Sequence, residues 1–277
     1  MPGRLLVSCP DRPGIVAAVS RFLFEQGANL VHADQHTTHA APRRFFLRVE
    51  FEGVPAETLA AAFAPVADTF GMEARFVDAE RRKRLAIFVS KEDHCLRELL
   101  WEIEAGDIQA DVACVIGNHE GMRGLTEGHG ASFHHVPVLP ESKEEAEARQ
   151  LGLCAGADLI ILARYMQIVS PAFLAEWPNR VINIHHSFLP AFVGANPYRQ
   201  AFQRGVKLIG ATAHYVTSEL DAGPILEQDV ARVEHRDEVA ELRRLGRQLE
   251  RSVLARAVRW HCEDRVLVDG NRTVVFR

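Results

Sequence analysis

The stretch that is most informative about the fold of this chain runs from Asn183 to Asp221 and reads NIHHSFLPAFVGANPYRQAFQRGVKLIGATAHYVTSELD. An apolar segment leads into it, and we predict a strand over 180–185. Side chains two positions apart in a strand point to the same face of the sheet. The Asn183 amide and the His185 imidazole should therefore converge. A second predicted strand, over 207–216, should bring the Asp221 carboxylate back to them.

These three side chains form a minimal set for attack on a carbonyl-type carbon. An amide can donate a hydrogen bond to an oxygen on which negative charge develops. An imidazole can give or take a proton, and a carboxylate can hold the protonated imidazole, accept a proton from water, or do both. We therefore predict that Asn183, His185 and Asp221 are catalytic.

Strands and helices alternate on both sides of this stretch. Further strands are predicted at 85–89, 111–116, 132–138, 158–163 and 224–233, helices at 96–106, 141–152 and 238–262, and a hairpin at 266–276. Such alternation is typical of an α/β domain with a mostly parallel, Rossmann-like sheet, in which ligands bind beyond the carboxyl ends of the strands. Asn183 and His185 lie at such an end.

The first 80 residues show a different order of elements. Strands predicted at 4–8, 29–37, 44–51 and 73–78 and two amphipathic helices give β-α-β-β-α-β, the ferredoxin-like plan. The cationic segment 81–84 reads as a solvated linker. We therefore predict an α/β protein with a domain over 1–80, a linker over 81–84 and a second domain over 85–277.

Composition narrows the class of protein. The chain has 277 residues, 47% of them hydrophobic and 25% charged, and a net charge of −5. No basic stripe indicates nucleic-acid binding, and no apolar run reaches the ~18 residues of a membrane span. No secretory leader is recognisable, so we predict a cytoplasmic protein.

Metal and disulfide sites are not predicted. The five cysteines are odd in number and lack C-x-x-C spacing, which fits a reducing compartment. His32, His36 and His39 are close in sequence, but in a strand only the first two share a face.

The first module resembles the ACT domain, a small regulatory fold, through D-R-P-G-I-V at Asp11–Val16 and Gly-Ala-Asn at 27–29. The resemblance implies a homo-oligomer and an amino-acid effector bound at a domain interface. Free backbone N–H groups at the start of a helix suit a carboxylate. The alternative is that Pro13 and Gly14 merely start the helix. The expected regulatory residues are Asp11, Arg12, Pro13, Gly14 and Asn29.

The second module resembles the formyltetrahydrofolate deformylases of the formyltransferase superfamily. The motifs are N-x-H-H-S-F-L-P-A-F-x-G-A-N-P-Y from Asn183 and G-A-T-A-H-Y-V-x-x-x-L-D-A-G-P-I from Gly210. The resemblance runs from about residue 85 to the end, and this family also carries an ACT-like module. It implies hydrolysis of 10-formyltetrahydrofolate to tetrahydrofolate and formate, which feeds one-carbon and purine metabolism, and the same catalytic Asn183, His185 and Asp221.

The same resemblance implies a folate site, with no cofactor beyond the folate substrate. For the apolar residues expected in this folate site, ordinary core packing is the alternative role. His214 could equally hold the end of its strand. Gln167 stands where many superfamily members carry arginine, so the resemblance does not carry a charged contact with the folate over to this position. The expected substrate-binding residues are Tyr165, Met166, Gln167, Ile168, Val169, His214 and Leu220.

The loop after the first strand of this domain bears on the acceptor of the formyl group. The glycinamide ribonucleotide formyltransferases have a glycine-rich loop there that binds phosphate through backbone N–H groups. Ser90–Cys95 reads SKEDHC, with no glycine and two carboxylates, so we predict water as the acceptor. Formyl transfer to a non-phosphorylated amine and a non-catalytic amino-acid or folate sensor are the alternatives.

Overall fold

The computed structural model describes residues 2–190 and 197–277, and the chain divides into two compact units. The first comprises the residues up to Arg81 with Glu263–Asp269 and Thr273–Arg277, and the second comprises Arg82–Cys262 with Gly270–Arg272. This division differs from the predicted domain over 85–277, because most of the C-terminal hairpin belongs to the first unit.

The first unit has the predicted order of elements. Its strands are β1 (Gly3–Pro10), β2 (Asn29–Thr37), β3 (Arg44–Glu52) and β4 (Glu73–Asp78), and its helices are α1 (Ile15–Glu25) and α2 (Ala56–Phe70). The strands form one antiparallel sheet in the order β2-β3-β1-β4. The ferredoxin-like βαββαβ arrangement is therefore confirmed.

Alternation in β1 and β3 gives this sheet two buried faces. Leu5 and Val7 point into the core under the helices, where Phe63 packs edge-on against Phe22 at 5.0 Å between ring centroids. On the other face Leu6 packs in a small cluster with Phe46, Leu267 and Phe276. The last two residues come from the C-terminal segment that holds β12 (Val266–Asp269) and β13 (Arg272–Val275).

Arg48 explains why the C-terminal segment joins the first unit. The sequence pattern places this residue on the polar face of β3, yet it is only 1% exposed. Its Nε donates to the carbonyl of Asp264 at 3.1 Å, and its Nη2 donates to the carbonyl of Glu263 at 3.0 Å. The buried Asp264 carboxylate in turn pairs with Arg4 at 3.3 Å and Arg75 at 3.1 Å.

We expect Asp264→Asn to lower the free energy of unfolding of the first unit by ~1.5–3 kcal/mol, the range for hydrogen bonds to charged groups. Asn tolerates the left-handed backbone of this position (φ 53°), so the substitution removes charge without adding strain. Guanidinium titration followed by far-UV circular dichroism would measure the loss. Asp269→Asn is the control, because its 3.4 Å pair with Arg44 is more exposed and should contribute less than ~1 kcal/mol. Equal effects of the two variants would contradict this account of Asp264.

The second unit contains a seven-stranded sheet. Its strands are β5 (Lys83–Val89), β6 (Ala110–Gly117), β7 (Phe133–His135), β8 (Leu159–Ala163), β9 (Val181–His185), β10 (Leu208–Tyr215) and β11 (Ile225–Arg232). The order is β11-β10-β9-β8-β5-β6-β7, with antiparallel pairing only at β9-β10 and β10-β11. This result confirms the mostly parallel sheet.

The helices of the second unit include three that the sequence pattern did not predict: α4 (Arg123–Gly128), α6 (Pro171–Ala175) and α7 (Pro197–Arg204). They span only five to eight residues, too few for a helical repeat of apolar positions. None of the described helices has both the length and the hydrophobicity that crossing a bilayer requires. The six helices are α3 (His94–Ala105), α4 (Arg123–Gly128), α5 (Lys143–Leu153), α6 (Pro171–Ala175), α7 (Pro197–Arg204) and α8 (Val239–Cys262).

The strand order places a ligand-binding crevice in this unit. The chain runs outward from β5 through β6 to β7 and then returns to the other side of β5 with β8. In open α/β sheets ligands bind at the carboxyl ends of the strands where the order reverses in this way. The loops that follow β5 and β8 are joined there, since the Met166 N–H donates to Ser90 Oγ at 3.0 Å.

Candidate active site

A cavity of about 720 Å³ lies in the second unit and contains the candidate residues. Residues 191–196 of the first motif lie outside the described residues. All ten predicted catalytic and substrate-binding residues line this cavity: Tyr165, Met166, Gln167, Ile168, Val169, Asn183, His185, His214, Leu220 and Asp221.

Asn183 is held by His214 on the neighbouring strand. The two residues are directly paired in the β9-β10 ladder, and Asn183 Nδ2 lies 3.2 Å from His214 Nε2. His214 Nδ1 lies 2.9 Å from the carbonyl of Tyr215. Because a carbonyl can only accept, Nδ1 carries the hydrogen, and Nε2 of the neutral ring accepts from the amide. Holding Asn183 was not predicted; the two predicted roles of His214, contact with the folate and holding the end of its strand, stay predictions.

His185 is oriented by Asp221. Its Nδ1 lies 3.3 Å from Asp221 Oδ2, and a carboxylate can only accept, so Nδ1 is the donor. Nε2 is buried and has no hydrogen-bond partner within residues 2–190 and 197–277. Asp221 adopts a left-handed backbone conformation (φ 55°), which is unfavourable for most residues and is common at functional sites.

The protonation of Asp221 follows from its contacts. The hydrogen bond from His185 holds the pKa of Asp221 well below its usual value, although partial burial opposes it. The carboxylate is therefore ionised at neutral pH and is a weak base. This charge suits a group that orients and stabilises His185.

The predicted folate loop contains both core and cavity-facing residues. Tyr165 and Val169 belong to the hydrophobic core of the unit. The Tyr165 hydroxyl accepts from Gln150 Nε2 at 2.8 Å, and burial raises the pKa of Tyr165 to about 12. Met166 and Ile168 are 59% and 64% exposed, so these apolar side chains are available to a ligand.

His186 follows His185 directly, and a continued strand would place it on the opposite face of the sheet. Strand β9 ends at His185, so the alternation does not extend to the next residue. The His186 ring lines the same cavity, with its centroid 5.3 Å from that of His185. Burial, followed by the charge of Arg164, lowers the pKa of His186 to about 4, so this ring is neutral at pH 7.

A buried network around Glu250 was not predicted. Glu250 Oε2 accepts from His94 Nε2 at 2.8 Å, and Oε1 accepts from the Tyr198 hydroxyl at 2.5 Å. Arg164 Nε lies 3.3 Å from Oε2. Burial alone would raise the pKa of Glu250, but the hydrogen bond from His94 and the charge of Arg164 lower it below its ordinary value.

The same region offers a group of potential metal ligands. Among the described residues, His94, Cys95 and Glu250 place ligand atoms within 4.8 Å of one another. However, His94 Nε2 and Arg164 already engage the carboxylate, and burial raises the pKa of the Cys95 thiol well above its usual value. Metal ligation requires a thiolate, so we assign this group to the hydrogen-bond network.

The predicted regulatory residues lie at opposite ends of α1 in the first unit. Asp11, Arg12, Pro13 and Gly14 precede the helix, whereas Asn29 begins β2 after it. Eleven helical residues span about 16 Å at 1.5 Å per residue. The two parts therefore do not meet around one small ligand within a single chain.

Comparisons with known proteins match both units. A family model described as formyl transferase matches residues 83–258, and one described as ACT domain matches residues 3–64. A formyltetrahydrofolate deformylase of Bacillus subtilis is 56% identical over 99% of this chain and 93% of that protein.

Solved structures of other proteins are similar to this chain over its whole length. A formyltetrahydrofolate deformylase from Pseudomonas syringae is 48% identical with a TM-score of 0.97, covering 100% of this chain and 94% of that chain. The corresponding structure from Burkholderia mallei is 42% identical with a TM-score of 0.95, covering 100% and 99%. These values confirm the predicted resemblance, and the chain belongs to the formyltetrahydrofolate deformylase family.

Proposed function

We propose that this chain hydrolyses 10-formyltetrahydrofolate to tetrahydrofolate and formate, using Asn183, His185 and Asp221. The observation that carries the proposal is the buried His185, whose Nδ1 lies 3.3 Å from Asp221 and whose Nε2 has no hydrogen-bond partner among the described residues. Membership of a family of hydrolases named for this reaction supports it. The products would enter one-carbon and purine metabolism.

The first step is attack of water on the formyl carbon. The Asn183 amide has a second N–H beyond the one given to His214, and it donates to the formyl oxygen as negative charge develops. A new C–O bond forms, and His185 Nε2 takes the proton that water loses. A tetrahedral intermediate results, with its oxyanion bound to Asn183.

The second step is collapse of the intermediate. The bond between the formyl carbon and N10 of the folate breaks, and His185 Nε2 gives its proton to that nitrogen. Formic acid is released and ionises to formate. Asp221 stays ionised and stabilises the imidazolium, so of its predicted roles we propose orientation of His185 and not proton transfer from water.

The charge of the cavity near β5 favours water over a phosphorylated amine as the acceptor of the formyl group. Glu92, which follows this strand, lines the cavity, and its carboxylate would repel a phosphate. The proposed steps need only water, the folate and these side chains. We also infer a cytoplasmic location, because the five cysteines form no disulfide in the part of the chain that the structure describes.

The test is release of formate by the purified protein with 10-formyltetrahydrofolate and no amine. We expect equal amounts of formate and tetrahydrofolate, and no change in rate when glycinamide is added. Formyl groups recovered on the amine would indicate a transferase instead. Folate binding detected by a thermal shift without any turnover would indicate a sensor.

We further propose that the ACT domain binds a free amino acid at the loop Asp11–Gly14. If Asn29 contributes to the same site, it must come from another subunit, because α1 separates the two parts by about 16 Å. Gly14 has φ 96° and room for a Cβ, so Gly14→Ala would strain the loop without a clash. An amino acid that changes turnover in the wild type should lose its effect in this variant. If none of the twenty changes turnover or the sedimentation coefficient, the proposal fails.

A further inference from the structure

Arg164 lines the same cavity as His185, and the proposed chemistry does not use it. It follows β8 directly, and Leu162 of β8 pairs with Asn183 of β9. Arg164 and His185 therefore lie at the carboxyl ends of neighbouring parallel strands. Arg164 has φ 60°, and it shares this left-handed backbone with Asp221, the other such residue that lines the cavity. Strained backbone of this kind clusters at ligand-binding sites.

The Arg164 guanidinium is only partly satisfied. Its ion-pair partner within residues 2–190 and 197–277 is Glu250, which already accepts short hydrogen bonds from His94 and Tyr198. Arg164 Nε and Nη1 are both buried, and neither has a hydrogen-bond partner among residues 2–190 and 197–277. Guanidinium N–H groups are donors in a fixed fork that matches a carboxylate. Buried donors without acceptors in the cavity that contains the candidate catalytic residues point to a ligand that supplies the acceptor.

The charge of the cavity also favours an anion. Four arginines and three carboxylates line it, and two of the carboxylates, Asp221 and Glu250, are already bound to other side chains. A cavity with this balance attracts small anions.

We propose that Arg164 binds the carboxylate of formate, the second product of the reaction. The inference rests on the hydrolysis proposed above, which creates a carboxylate at the formyl carbon beside His185. No bond is made or broken at Arg164. Its N–H groups donate to the formate oxygens after the C–N bond has broken, and Glu250 holds the guanidinium in place. Formate would then leave separately from tetrahydrofolate and act as a product inhibitor.

The test compares formate inhibition in Arg164 variants at constant ionic strength. Arg164→Gln should raise the inhibition constant for sodium formate at least tenfold, and Arg164→Lys, which keeps the charge without the fork, should give an intermediate value. Line broadening of ¹³C-formate by the full chain without folate should show the same order. If Arg164→Gln does not fold, the lysine variant supplies the comparison.

Arg243→Gln is the control for general electrostatic attraction, since Arg243 is an exposed arginine lining the same cavity. An equal effect of both variants, or an inhibition constant in Arg164→Gln within twofold of wild type, would overturn the proposal.

The glutamate tail of the folate is a second possible source of the carboxylate that Arg164 binds. If Arg164→Gln raises KM for 10-formyltetrahydrofolate but not for the glutamate-free pteroate, with formate inhibition unchanged, Arg164 binds the tail and the proposal is wrong. If the protein binds formate through Arg164 but does not hydrolyse 10-formyltetrahydrofolate, the proposed hydrolysis is wrong and the proposed formate site stands.

Discussion

Asp221→Asn should lower kcat for formate release by ~10²-fold or more, with a much smaller change in KM. Asp221 Oδ2 lies 3.3 Å from His185 Nδ1 and fixes the hydrogen on that nitrogen. An asparagine at this position can donate to Nδ1 through its amide, which would leave the hydrogen on Nε2. His185 could then no longer take a proton from water, and no carboxylate would stabilise the imidazolium. Asparagine also tolerates the left-handed backbone at this position, so the change should not disturb the fold.

Asp229→Asn is the matched control for this experiment. Asp229 is a carboxylate on β11 of the same unit that pairs with Arg256 at 2.8 Å, and we assign it no catalytic role. Its substitution should leave kcat within twofold of wild type. Formate release from 10-formyltetrahydrofolate, followed as a function of substrate concentration, separates kcat from KM. A loss of less than tenfold in Asp221→Asn, or one confined to KM, would contradict the role given to this carboxylate.

The fold was predictable wherever a local repeat determines an element. Strand β9 was predicted at 180–185 and spans Val181–His185, because its apolar run and its period of two are visible in the sequence. Arg48 shows where this reasoning stops. A polar residue in an alternating strand reads as exposed, and only contacts more than 200 positions away, at Glu263 and Asp264, make its burial possible. The C-terminal segment was placed in the wrong unit for the same reason.

The candidate site, like the fold, was predictable from the sequence only in part. Alternation was sufficient to place Asn183 and His185 on one face, and the antiparallel pairing of β9 with β10 sets His214 opposite Asn183. The Glu250 network was missed because its members come from separate elements. One signal was present: Glu250 lies four positions after Gly246, on the buried face of α8, where an unpaired carboxylate is rare. That spacing could have marked Glu250 as a buried charge, but it does not reveal the partners.

Glu250→Ala should lower the free energy of unfolding of the second unit by ~3–5 kcal/mol, the usual result of removing one member of a buried ion pair. The carboxylate is about 1% exposed and accepts from both His94 and Tyr198, while Arg164 lies 3.3 Å away. Its removal leaves a largely buried guanidinium and two donors without an acceptor. The three tryptophans, at positions 101, 177 and 260, all lie in the second unit, so fluorescence during denaturant titration reports its unfolding.

The pH dependence of this loss in unfolding free energy distinguishes the contribution of the Glu250 charge from that of its packing. The pKa of Glu250 is lower in the folded protein than its unfolded value, which is about 4.3. The stabilisation by its charge is therefore fully present above that value and is lost as the pH falls through the folded pKa. Glu250→Gln keeps the shape and an acceptor, so it should lose less than Glu250→Ala at pH 7, and its difference from wild type should shrink below pH ~4. Glu241→Ala, at an exposed position of α8, should leave the midpoint unchanged. A Glu250→Gln difference that stays constant from pH 8 to pH 3 would show that packing, and not charge, accounts for the effect.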